Sequence, residues 1–143
     1  MLGINSINSM EIIKIPENEI LKNPLPLPYE RIEVEQQSLL DFMNASKKGK
    51  QSIIIFGANW CPDCRILEAT LQLPTVSKYL NKNFEILHVD LGKYDINMNL
   101  LEALGIPRRE GVPRIVIFGE NGVALNLDST DTMRTARDTK QQD

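Results

Sequence analysis

The chain has 143 residues, 42% hydrophobic and 24% charged, with 8 Gly and 8 Pro, the profile of one globular domain able to bury a core. Sixteen basic residues against 19 acidic ones give a net charge of −3, which argues against a protein whose main task is to grip nucleic-acid phosphates or anionic lipid. No uninterrupted apolar run exceeds four residues, so no membrane span is expected.

Residues 1–28 read as an extended arm. Pro24, Pro26 and Pro28 alternate with Leu25 and Leu27, favouring polyproline-like backbone. Glu11, Lys14, Glu17, Glu19 and Lys22 interrupt what would be the apolar stretch of a secretory signal, so none is expected. Ile12, Ile13 and Ile15 suit a short strand or a docking edge. Residues 29–143 then form the expected single domain.

Leu39, Leu40 and Met43 fall on one helical face, followed by the basic Lys47, Lys48 and Lys50 around Gly49. Residues 52–57 (SIIIFG) form an apolar, β-branched run suited to a central strand buried on both faces. Residues 62–80 read as a long helix that must kink or restart at Pro74, which lacks an amide donor. Residues 84–89 (FEILHV) give a second strand. A short helix is expected over 96–104, with Asp95 as N-cap and Gly105 as stop. Residues 114–118 and 123–127 flank Gly119-Glu120-Asn121-Gly122, a hairpin signal. Residues 129–143 are weakly helical, with only Met133 and Ala136 apolar, so this helix is abbreviated or the natural chain continues past Asp143. The order α-β-α-β-α-β-β-α predicts an α/β fold: a mixed sheet, parallel in its βαβ half and antiparallel in its hairpin, with helices on both faces.

Two cysteines, Cys61 and Cys64, sit three apart. A bridge across so short a loop constrains the unfolded chain little, and one histidine, His88, leaves a zinc set short of ligands. No metal site or cofactor is therefore expected beyond a Cys61–Cys64 dithiol that closes to a disulfide. Cys61 falls at the N-cap of the helix and Pro62 at its first position, where the missing amide costs nothing. Unpaired amides and the helix dipole then favour negative charge on the Cys61 sulfur. Cys64 lies one turn in, more buried and on the same face. These positions assign Cys61 as the attacking thiolate and Cys64 as the thiol that resolves the mixed disulfide. Trp60 would flank the sulfur as an apolar platform.

Trp60-Cys61-Pro62-Asp63-Cys64 after a buried strand, with Gly111-Val112-Pro113 before a hairpin, resembles the thioredoxin family. Within it, the variant looks most like bacterial thioredoxin-like or disulfide-isomerase-like proteins. The resemblance spans roughly residues 52–127 and implies a thioredoxin fold in which Pro113 is cis and faces the cysteines. Val112 would then offer its backbone to an extended substrate strand. It further implies a thiol–disulfide oxidoreductase, a protein disulfide reductase or isomerase rather than a strong oxidant. Its partners would be disulfide-containing proteins and a redox protein that supplies electrons. Nucleic acid and membrane are not among the expected partners, and a monomer in the cytoplasm or periplasm is expected.

Where the family often has a buried acid in the preceding strand, this chain has Ile55, so proton removal from Cys64 must use water, Glu68 or His88. Asp63 opposes the thiolate. Arg65 favours it, and Arg108, Arg109 and Arg114 are further candidates. Glu68 could equally be a helix ion-pair partner of Arg65 or a lysine, and His88 a structural strand residue. The competing function is a thioredoxin-like binding module in which the cysteine pair tunes affinity without turning over.

Overall fold

The computed structural model describes residues 13–44, 49–106, 111–119, 122–126, 130 and 133. Its elements run α1 (Gln36–Asn44), β1 (Gln51–Gly57), α2 (Pro62–Leu71), α3 (Pro74–Asn83), β2 (Phe84–Asp90), α4 (Met98–Ala103) and β3 (Arg114–Ile117). The sheet order is β2-β1-β3. β1 pairs with β2 in parallel, Gln51 opposite Phe84 through Gly57 opposite Asp90. It pairs with β3 antiparallel, Ile53 opposite Ile117 through Phe56 opposite Arg114.

The centre of this sheet follows from the run in β1. Strand alternation sends Ile54 and Phe56 to one face, where they join Leu39 of α1, Leu100 and Leu101 of α4, and Val116. Ile53 and Ile55 point to the other, joining Leu67 of α2, Leu80 of α3, Ile115 and Ile117. Each such side chain contributes about 1.5–3 kcal/mol when fully buried. Helices therefore cover both faces, and the C-terminal end of β1 delivers the chain to the cysteines.

Two expectations are corrected, and the interruption expected at Pro74 takes the form of a restart. The long helix over 62–80 is two helices: Leu73 is extended, with φ −59° and ψ 138°, and Pro74 opens α3. The residue before a proline is driven from helical backbone, so the chain restarts rather than kinks. The short helix begins at Met98 behind Asn97, which has a positive φ of 59° and gives no side-chain cap. Asp95 does not cap it. Its carboxylate takes both arms of the Arg31 guanidinium (3.0 and 2.8 Å) and the Lys93 amide. Among the described residues, the hairpin's second arm is a bridge between Phe118 and Ala124, closed by hydrogen bonds from Leu125 N–H to the Ile117 carbonyl and from Gly119 N–H to the Val123 carbonyl. The Asn126 side chain replaces strand backbone there, accepting from Ile117 N–H and donating to the Ile115 carbonyl, both at 2.8 Å.

The arm lies against α2 and α3. The Glu19 carboxylate accepts from the Thr75 amide at 2.9 Å and from the Thr75 hydroxyl, closing the N-terminus of α3. Arg65 of α2 donates to the Leu25 and Pro26 carbonyls at 2.9 and 3.2 Å. Tyr29 and Asn59 exchange two hydrogen bonds, fastening the start of the domain to the loop before the cysteines. Lys47, Lys48, Arg108, Arg109, the hairpin tip at Glu120 and Asn121 and, apart from Thr130 and Met133, the 129–143 segment lie outside the described residues.

Candidate active site

Cys61 is the N-cap of α2, extended at φ −88° and ψ 113°, with Pro62 behind it in the first turn. Its sulfur accepts the Cys64 amide at 3.2 Å. Both thiols are free, and both are shielded: Cys61 is 4% exposed and Cys64 1%. The neighbouring Cys64 side chain is the largest influence pulling the Cys61 thiol down, to about 7. Burial opposes it, the amides of Cys64 and Asp63 assist, and the Asp63 carboxylate, itself buried, works against it. The Cys61 side chain, with burial behind it, pushes the Cys64 thiol far up. One sulfur is thus prepared to carry charge and its neighbour to keep its proton.

The opposite wall is residues 111–113. The Val112–Pro113 peptide is cis, and the Val112 carbonyl lies 3.7 Å from the Cys61 sulfur, accepting from it when the thiol is protonated. Trp60 is 50% exposed. Its indole donates to the Gly92 carbonyl at 2.6 Å, and its ring meets the edge of Tyr94 at 5.8 Å between centroids. Cys61, Cys64, Trp60, Pro62, Asp63, Val112 and Pro113 are therefore brought to one place.

Arg65 is not directed at the sulfurs. Its guanidinium holds the arm carbonyls of Leu25 and Pro26. Arg114, 1% exposed, donates through Nε to the Gly111 carbonyl at 2.9 Å and through Nη1 to Thr130. The sequence gives no cue to this use, because a lone arginine in an apolar strand has no local partner.

Behind Cys64, Glu68 pairs with His88, Oε1 to Nε2 at 2.6 Å, rather than with Arg65 or a lysine. Burial tends to raise the Glu68 carboxyl. Hydrogen bonds from His88 and Gln72, with the charges of His88 and the arm's Lys22, hold it below the usual range. The His88 ring meets the Tyr29 ring edge-on at 5.6 Å. Burial pushes the Tyr29 phenol well up, and the neighbouring Cys64 and Glu68 add to this, so the phenol stays protonated. Ile55 sits opposite His88 in the sheet. Tyr29 is a site residue that sequence reasoning missed; it opens the domain far from the cysteines in sequence, with no local cue to its place beside them. Asn59 and Tyr94 were missed too, the first immediately before the cysteine motif and the second in a polar connection. Among the described residues, no three His, Cys, Asp or Glu side chains are placed to hold a metal ion. None of the described helices is long and apolar enough to cross a membrane.

A parallel βα unit that delivers a cysteine pair to a helix start, opposite a cis-proline wall, is the architecture of a thioredoxin-like protein. A family model described as thioredoxin-like matches residues 36–120, and the chain belongs to that family. Among solved structures, the crystal structure of a disulphide isomerase from Xylella fastidiosa Temecula1 is similar, with TM-score 0.72 and 30% sequence identity. The match covers 82% of this chain and 91% of that one. No curated protein sequence matches.

Proposed function

We infer that the protein is a thiol–disulfide oxidoreductase that reduces or isomerises disulfides in polypeptide substrates. The observation that carries this reading is the placement of the pair: the Cys61 sulfur at the N-cap of α2, accepting the Cys64 amide at 3.2 Å and lying 3.7 Å from the Val112 carbonyl, with Cys64 one turn further into the helix. The likeness to a disulphide isomerase supports the same reading.

In the first step the Cys61 thiolate attacks one sulfur of a substrate disulfide. A Cys61–substrate disulfide forms, the substrate S–S bond breaks, and the displaced sulfur leaves as a thiolate. Charge on Cys61 is then gone, and with it the largest influence that kept the Cys64 proton in place. Cys64 loses that proton and attacks the Cys61 sulfur, so the second substrate sulfur departs and a Cys61–Cys64 disulfide remains. The substrate has gained two electrons and the protein has lost two. A dithiol of a partner redox protein restores them by the same exchange. In isomerisation, the released substrate thiolate attacks another substrate disulfide, and the thiolate this frees attacks the substrate sulfur of the mixed disulfide, so a new substrate disulfide forms and Cys61 leaves as a thiolate.

Glu68 and His88 are the acceptor for the Cys64 proton in this scheme. Glu68 is one turn beyond Cys64 on α2, so the two share a helix face. A cavity of about 210 Å³ lined by Glu68, Gln72, Leu80, Ile86 and His88 gives the pair a route to water. Trp60 and the Val112 backbone supply the platform for an extended substrate segment. No cofactor enters the cycle.

Insulin reduction coupled to dithiothreitol tests the activity, with turnover expected for the protein and none above background for Cys61→Ser. Equal rates for the two would overturn the catalytic reading. Cys64→Ser should accumulate substrate as a mixed disulfide on Cys61. Equilibration with glutathione should give a potential well below the roughly −120 mV of a strong oxidant; a value at that end would reverse the proposed direction.

A further inference from the structure

Tyr94 has a backbone that its side chain does not favour. Its φ is 62°, in the left-handed region that a bulky residue rarely enters. Such strain persists only where the surroundings enforce it, and it concentrates at sites where a side chain must be aimed. The aim here is legible. The Tyr94 hydroxyl accepts the Gly111 amide at 3.1 Å, and the Tyr94 ring rests against Trp60.

Gly111 is buried, with φ 132°, and is held from two sides: its amide by Tyr94 and its carbonyl by Arg114. The next residue is Val112, whose carbonyl faces the Cys61 sulfur. Trp60 is tethered in turn to Gly92, two residues before Tyr94. The connection between β2 and α4 therefore ties together the two sides of the groove, Trp60 and residues 111–113.

We propose that Tyr94 is a positioning residue that sets the Val112 backbone for pairing with a substrate strand and seats Trp60 beside it. The proposal rests on the oxidoreductase reading for its substrate. Its structural content is independent of turnover: the phenol oxygen holds the Gly111 amide. Removing that oxygen leaves a buried donor without a partner, and the loop must move to satisfy it. Substrate binding suffers because the pairing edge has lost its fixed height. The exchange chemistry at sulfur is left in place.

Tyr94→Phe removes the hydroxyl and keeps the ring against Trp60, the chain's single tryptophan. The expected result with a peptide disulfide is a KM raised about two- to tenfold, the effect of one lost hydrogen bond, with kcat within about twofold. Amide hydrogen exchange at Gly111, followed by NMR, should accelerate, while Trp60 emission stays as in the unmodified protein. Tyr94→Ala should add a red shift of that emission. An unchanged KM, or a fall in kcat with KM constant, would overturn the substrate-positioning role. Unchanged exchange at Gly111 would overturn the inference by itself. If the unmodified protein reduces no disulfide, the activity reading fails, and the exchange measurement still decides what Tyr94 does.

Discussion

At Cys61 the competition is between burial, which disfavours charge, and a fan of donors, which favours it. The donors win, and the largest is the neighbouring thiol of Cys64. Alkylation of Cys61 by iodoacetamide should therefore rise with pH through a midpoint near 7, and Cys64→Ala should move that midpoint up. A midpoint unmoved in Cys64→Ala would show that the helix amides suffice alone. Glu68 carries a second pH dependence. Its folded-state carboxyl titrates below its unfolded value, so its contribution to stability is present above about pH 4.3 and is lost as pH falls through the folded value. Glu68→Gln should lower stability at pH 7 and flatten the acid limb of a urea-stability profile. It should also slow release of the mixed disulfide in stopped-flow measurements, if Glu68 accepts the Cys64 proton.

Helix α3 shows how an element depends on chain far from it. Pro74 supplies a good first residue, but Leu73 provides no side-chain cap. The Glu19 carboxylate, 56 residues away, accepts the Thr75 amide in its place. Glu19→Ala should cost about 1 kcal/mol in chemical denaturation, in the range of other lost helix caps. Gly57 ends β1 where the Tyr29 phenol crosses it, and a Cβ at this position would overlap that ring. Gly57→Ala must push Tyr29 off His88, with an expected loss of about 1–3 kcal/mol. A melting temperature equal to that of the unmodified protein would show that the ring can move freely.

Across the whole molecule, β1 holds the two layers together, and the layers are not interchangeable. Leu39 of α1 is fully buried against the face that also carries Cys61, Cys64 and Tyr29. Leu39→Ala should destabilise the fold by about 2–5 kcal/mol as a core truncation. The thiol environment is set at short range, so the midpoint of Cys61 alkylation should stay near 7 wherever this variant remains folded. Arg114 acts at the same scale: one buried guanidinium joins the Gly111 carbonyl to Thr130.

Much of the fold was legible because its signals are local. A β-branched run, a proline at a helix start and two cysteines one turn apart each constrain backbone within a few residues, and the strand–helix junction with Cys61 follows from them. The division at Pro74 and the shortened hairpin were harder: one rests on whether a proline bends or ends a helix, the other on an asparagine side chain standing in for a strand. Partner choice was out of reach. Glu68 had several cations along the chain to pair with, and only the packing of α2 on β2 selects His88. Arg65 lies next to a cysteine in sequence but answers to the arm, and Tyr94 meets Gly111 across 17 residues. Amino-acid order alone determined the place of the cysteine pair at a helix start and the strand that presents it, because helix capping and strand burial are short-range effects. Tertiary structure decided which groups surround those sulfurs, because hydrogen bonds and charges act through distances that only the folded chain makes short.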